Sequence, residues 1–325
     1  MLRSNIEMII NSLKGKIKIL VFLIIGSLIF PSCLPDPNPN PNPNPIEGNP
    51  LGLYGSGSFL FNGYVNFQDK PVNCYYFIPE SATDQTPIMF LIHGNGRNGQ
   101  SLLSSLKAAA ESSNIILIAP ELSTQHYNFN AFGLCNIFKD GENATGLNEY
   151  GDWSFNLLDP IFYDFNSLIE SNQSEYDLFG FSAGAQFAHR MILLDSSSHV
   201  RNFVSASAGW YTLPDTTINF PYGLKKINSS QSKRQEQLLR SFSKKHFIII
   251  GSEDNDPNSN DLRHTLEADY QGLNRYDRAH YFLAKGISIS DQSQIPFLWD
   301  LRVVQDVGHS GREMGSFAIN MLYPQ

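Results

Sequence analysis

The chain has 325 residues, 42% of them hydrophobic and 12% aromatic, which supplies a sizeable core and excludes an intrinsically disordered chain. The length fits one large domain or two small ones. A formal net charge of −8 gives the surface the wrong sign for nucleic acid or an anionic membrane face, so neither is expected as a partner.

The amino-terminal residues read as a targeting segment. Lysines are scattered through residues 1–18, and residues 19–30 (ILVFLIIGSLIF) form an apolar run that is short for a membrane span and right for the apolar stretch of a signal peptide. The run ends at Phe30-Pro31-Ser32-Cys33, which resembles a bacterial lipoprotein signal. That resemblance implies lipidation of Cys33, loss of residues 1–32 as signal peptide and a protein held in the cell envelope, on the periplasmic face or the cell surface. An uncleaved signal anchor is the alternative. Of the 23 basic and 31 acidic residues, four and one lie in the segment removed, so the mature charge is about −11. Residues 33–50 are a Pro/Asn-rich linker; alternating proline favours an extended polyproline II stalk. A Pro-rich ligand for another domain is the rival reading, and the repeat lacks a basic flank. The remaining cysteines, Cys74 and Cys135, either form one disulfide or stay as buried free thiols.

Residues 51–325 read as one domain without internal repeats. A glycine-punctuated entry over residues 48–57 precedes strands over residues 59–67 and 72–78, with Asp69-Lys70-Pro71 as the turn of an antiparallel edge. Residues 87–92 are a continuous apolar run, the pattern of a strand buried on both faces, and lead into His93-Gly94-Asn95-Gly96. A helix over residues 102–110 and a buried strand over residues 115–119, ended by Pro120, complete a βαβ unit and imply a parallel sheet. Residues 123–152 lack periodicity but are rich in aromatics, so they are read as the wall of a cleft, with Trp153 at their end. Residues 155–169 suit a helix. Residues 176–181 form a strand, and from Ala183 apolar residues recur at helical spacing. Later strands are expected over residues 203–208, 246–250 and 299–304. Residues 220–243 are partly helical, residues 275–285 suit a helix and a final helix closes the chain.

Between strand and helix lies Gly180-Phe181-Ser182-Ala183-Gly184. A serine on such a turn projects its Oγ from the carboxyl edge of a sheet, and glycines on either side let strand and helix crowd together. A hydroxyl is a poor nucleophile until a base removes its proton, and the base needs a partner that fixes its tautomer. Of eight histidines, only His309 follows the final strand in a Gly-His-Ser-Gly loop, and Asp254 follows the preceding strand. Glu253 and Asp256 are close enough to leave the acid open. The oxyanion formed on attack needs two N–H donors: that of Ala183, and that of Asn95 or Gly96. Trp210 and Tyr211, at the carboxyl end of a parallel strand, are pocket candidates together with Trp153. Asp254, Asp256, Asn258, Asn260 and Asp261 fail the calcium-loop template, so no metal is expected.

The HGNG, GFSAG, GSEDNDP and VGHS motifs, in this order on alternating strand and helix, resemble the α/β-hydrolase superfamily, and its exported esterases related to polyhydroxybutyrate depolymerases and feruloyl esterases in particular. The resemblance covers roughly residues 60–325. It implies an α/β fold with a mostly parallel eight-stranded sheet flanked by helices, a Ser182, Asp254, His309 triad, and hydrolysis of a small-molecule or polymeric ester through an acyl-enzyme without a cofactor. Phe181 departs from the histidine many relatives carry, with packing as the expected consequence. A serine peptidase of the same fold and a non-catalytic binding module on a stalk are the rival readings.

Overall fold

The computed structural model describes residues 53–324, apart from 196, 197, 228 and 229. The expected signal segment, Cys33 as the expected lipidation site and the linker over residues 33–50 lie outside the described residues.

The strands are β1 (Gly55–Phe61), β2 (Val72–Ile78), β3 (Ile88–Ile92), β4 (Ile116–Glu121), β5 (Tyr176–Phe181), β6 (Val200–Ala206), β7 (Lys245–Gly251) and β8 (Trp299–Val304). They form one eight-stranded sheet in the order β1-β2-β4-β3-β5-β6-β7-β8. β1 and β2 are antiparallel, β2 meets β4 antiparallel, and every later pairing is parallel.

Both faces of the central strands are buried, and alternate residues feed separate cores. Phe90, Ile92, Leu178, Phe203 and Ile248 point into one cluster, with α3 (Leu158–Ile169), α4 (Ala183–Leu194) and α7 (Arg275–Ser293) packed over it. Met89, Leu91, Phe179, Val204 and Ile249 point into the other, beneath α1 (Gly99–Ser113) and α8 (Gly311–Leu322). Shorter helices, α2 (Phe129–Phe132), α5 (Gln231–Phe242) and α6 (Leu266–Gln271), lie in the connections. The expected fold class is the one observed.

Several boundaries differ from the sequence reading. β1 begins within the glycine-punctuated entry and ends at Phe61, and residues 65–67 form a 3-10 turn. Gly57 sits opposite Tyr76, where a Cβ would lie 2.2 Å from the tyrosine ring, so the glycine makes room for a cross-strand aromatic. Pro120 does not end β4, which runs on to Glu121. The register with β3 stops at Ile118, so Pro120 is paired on one side alone, with Cys74 of β2, a setting that tolerates a residue without an N–H. α7 continues eight residues past its apolar pattern because Gly286 packs against Phe297 and Ser290 Oγ donates to Ile295 O.

Candidate active site

The site grows from the turn after β5. Ser182 has φ 56° and ψ −113°, a left-handed conformation that costs a non-glycine residue about 1–3 kcal/mol and persists only where neighbours impose it. Here Ser182 N–H donates to Ala206 O at 2.9 Å and Gln186 N–H donates to Ser182 O at 3.1 Å. The flanking glycines are required by contact. A Cβ on Gly180 would stand 2.1 Å from Gly184 O, and one on Gly184 would stand 2.1 Å from Ile92 O.

Two further loops converge on the serine. A Cβ at Gly251, the last residue of β7, would lie 2.0 Å from Val307 O, and Glu253 N–H donates to Val307 O at 3.0 Å, so the loops after β7 and β8 run in backbone contact. That contact sets Asp254 beneath His309. The Nδ1–Oδ2 distance is 2.8 Å, and His309 Nε2 lies 3.1 Å from Ser182 Oγ. With Nδ1–H donated to the carboxylate, Nε2 is the acceptor for the serine hydroxyl. Of the three acids in the loop, Asp254 is buried while Glu253 and Asp256 are exposed, and Asp256 Oδ1 accepts from Asn258 N–H. The Phe181 ring lies 4.7 Å from the imidazole, so this residue touches His309 directly, a contact beyond the general packing role expected of it.

Asn95 and Gly96 are exposed in the loop after β3 and line the cavity that contains Ser182. Asn95 N–H donates to no backbone carbonyl among the described residues. Ala183 opens α4, where first-turn N–H groups lack an intrahelical acceptor. The loop is anchored from both sides through Leu122. His93 Nε2 accepts from Leu122 N–H at 3.1 Å, while Arg97 Nη1 donates to Leu122 O and, at 2.8 Å, to Tyr127 O. Burial lowers the His93 pKa to about 4, which keeps it a neutral acceptor.

Cavities of about 360 Å³ and 290 Å³ meet at Ser182, Asn95 and Asp261. The first includes Leu102, Phe181, His309 and Arg312; the second includes Phe129, Gln186, Trp210, Arg263 and Arg275. The Trp210 indole is held between two guanidinium groups, Arg190 at 4.5 Å and Arg263 at 5.0 Å. Arg263 is itself paired with Glu142.

The other two aromatic candidates lie elsewhere. Tyr211 is fully buried, with its ring stacked on Phe282 at 4.3 Å and its N–H donated to Gln271 Oε1, so it turns away from the cleft that Trp210 lines. Trp153 packs on Tyr150 and Phe155 and donates Nε1–H to Asn148 O, and it lines neither cavity. Of the aromatic loop before it, Phe129 reaches the cleft while Tyr127 and Phe132 are core residues.

Cys74 and Cys135 are free buried thiols. Of the residues weighed as a calcium loop, Asp254 and Asp261 are paired with Arg275. Sequence reasoning missed Gln186, Arg275 and Arg312. Gln186 had a signal, four residues after Ser182 on the same helical face. Arg275 had none, because its approach to Asp254 is purely tertiary.

No protein-family model and no curated protein matches the sequence. Among solved structures, poly(aspartic acid) hydrolase-1 from Sphingomonas sp. KT-1 is similar with a TM-score of 0.77 and 31% identity, over 83% of this chain and 99% of that one. LpqC, a poly(3-hydroxybutyrate) depolymerase from Bordetella parapertussis, also has a TM-score of 0.77, at 24% identity, over 84% and 91% of the two chains. The siderophore hydrolase EstB from Aspergillus nidulans shares the fold more distantly, with a TM-score of 0.50 and 14% identity, over 83% and 95%.

Proposed function

Because the chain belongs to the serine hydrolases of the α/β-hydrolase fold, we propose that it cleaves a carboxylic ester through an acyl-enzyme on Ser182, with His309 as general base and Asp254 as the orienting acid. The observation that carries this reading is the continuous line from Ser182 Oγ through His309 to Asp254 at 3.1 Å and 2.8 Å, on a turn strained to project the serine. Ser182 attacks the acyl carbon as Nε2 takes its proton, and Asp254 steadies the imidazolium. The N–H groups of Ala183 and Asn95, with Gly96 N–H beside them, receive the oxyanion. His309 then returns the proton to the departing alcohol, and water activated by the same histidine releases the acid. None of these steps calls on a cofactor.

The two cavities give the acyl and leaving groups separate lobes on either side of Ser182, with Phe129 and Trp210 as apolar surface in one of them. An amide of the same acyl group is the second reading, favoured by the 31% identical relative that is named for poly(aspartic acid), a polymer of an amino acid. Export and lipid anchoring through Cys33 belong to the same proposal. The anchor reading predicts acyl mass on Cys33 of the membrane-fractionated protein, and a non-acylated mature terminus overturns it. The activity is tested with p-nitrophenyl esters of graded chain length and matched amides, beside Ser182→Ala. Ester turnover lost in the variant supports the proposal, turnover of amides alone moves it to the second reading, and equal background from both proteins overturns it.

A further inference from the structure

Asp254 has a second partner that the line from Ser182 does not use. Its Oδ2 faces His309, while its Oδ1 lies 3.3 Å from Nη1 of Arg275, whose side chain is 3% exposed. The same guanidinium donates Nη2–H to Asp261 Oδ1 at 2.8 Å and Nη1–H to Ser259 Oγ at 3.3 Å. Arg275 is the first residue of α7, and Tyr276 N–H donates to Asp254 O at 3.1 Å, so the helix start is fixed to the acid loop through backbone as well as side chain. Asp261, its side chain 65% exposed, lines both lobes of the cleft. A carboxylate, a buried guanidinium and a second carboxylate thus run from the cleft wall to the back of the proposed acid.

We propose that Arg275 is a positioning residue for the Ser182 site, holding the outer oxygen of Asp254 and setting how much of that carboxylate's negative field reaches His309, with Asp261 as the counter-charge that tempers it. This inference rests on the serine-hydrolase reading above. A carboxylate with one free oxygen can rotate; one held at both oxygens presents a fixed edge to Nδ1–H. A cation on the far oxygen also offsets negative charge that otherwise favours the protonated imidazole. Asp261 acts in the opposite sense, because it draws on Arg275 and adds negative charge of its own to the cleft.

The charged groups around His309 on the neighbouring elements are Glu253, Asp254 and Asp261 from the loop after β7, Arg275 from α7, and Arg312 and Glu313 from the first turn of α8. Of these, Arg275 is the buried cation in direct contact with Asp254.

The test is the pH dependence of the rate at which a fluorophosphonate labels Ser182, in the full-length protein and in Arg275→Gln, Arg275→Lys and Asp261→Asn. Labelling needs no knowledge of the natural substrate. Arg275→Gln is expected to move the acid limb of the profile to higher pH by about one unit and to slow labelling at its plateau, with Arg275→Lys restoring most of the limb position. Asp261→Asn, at a carboxylate whose side chain is 65% exposed, is expected to move the limb to lower pH. Limbs that coincide in parent and Arg275→Gln, or that shift in the same direction in Asp261→Asn and Arg275→Gln, overturn the role of Arg275, and a limb unchanged in Asp261→Asn overturns that of Asp261. Absence of labelling in the parent instead overturns the serine-hydrolase reading, so the two failures are distinct.

Discussion

Replacement of Gly184 by alanine tests whether the turn at Ser182 is held together by close packing. A Cβ there would meet Ile92 O at 2.1 Å and His93 O at 2.6 Å, against 3.4–4 Å for ordinary contact, so the strand and helix must part by about 1.3 Å. Both obstacles are backbone, and α4 is buried along its whole length, so neither side can yield through a rotamer. Overpacking of this kind costs about 1–3 kcal/mol and occasionally more. We expect the upper end, about 3 kcal/mol, which for a domain this size lowers the melting temperature by roughly 6–12 °C. The displaced carbonyls lie at the end of β3 and the start of the loop that carries Asn95, so labelling of Ser182 by a fluorophosphonate should fall by about 100-fold, the usual consequence of an ångström of misplacement. Gly209→Ala is the control for stability. Nothing lies within 4 Å of its Cβ, and its melting temperature should stay within about 2 °C of the parent. A Gly184→Ala protein as stable as that control and labelled at the parent rate would refute the reasoning.

Stability should fall with acid through buried neutral histidines. Burial lowers His93 to about 4 and His246 to about 3, and His189 lies well below its ordinary value. Each folded-state value lies below the unfolded one, so stability is full above about pH 6.5 and is lost as pH falls from there toward 4. At pH 5 the loss is roughly 2 kcal/mol for each of His93 and His246, and a urea midpoint that stays flat from pH 8 to 5 would contradict it. Phe129→Ala, at a side chain 41% exposed on the cleft wall, should leave the melting temperature within about 2 °C while raising KM several-fold for the longer acyl esters; an unchanged KM across the panel would remove Phe129 from the binding surface. Burial raises both thiols, Cys135 to about 12, so neither should react with a thiol reagent in the native protein and both should react in denaturant. Rapid native labelling of either would show that its surroundings open.

The parts of the fold that were legible in sequence are those where a local pattern has one reading. The apolar run at Ile88–Ile92 is a strand buried on both faces, the run expected over residues 246–250 forms most of β7, and the Gly-x-Ser-x-Gly turn needs its glycines because backbone atoms occupy the space a Cβ would take. Ser182, Asp254 and His309 were legible as candidates because each follows the carboxyl end of a strand, β5, β7 and β8 respectively. Their distances were not, because these depend on the contact between Gly251 and Val307, two residues far apart in sequence. Tyr211 shows the limit most clearly. It sits beside Trp210 with similar composition and context, yet one ring faces the cleft and the other stacks on Phe282, from a helix far along the chain. The Arg275 contact with Asp254 is of the same kind: an arginine at the start of a helix reads as an exposed charge until the loop carrying its partners is folded over it.

The central claim is that Ser182 is a nucleophile activated by His309. It is tested most directly by reacting the protein with a fluorophosphonate and mapping the adduct by peptide mass, beside Ser182→Ala and His309→Ala. The account predicts one adduct on the peptide that contains Ser182, none in Ser182→Ala, and labelling slowed by about 1,000-fold or more in His309→Ala. Labelling of another residue, or of Ser182 at the same rate without His309, would contradict it.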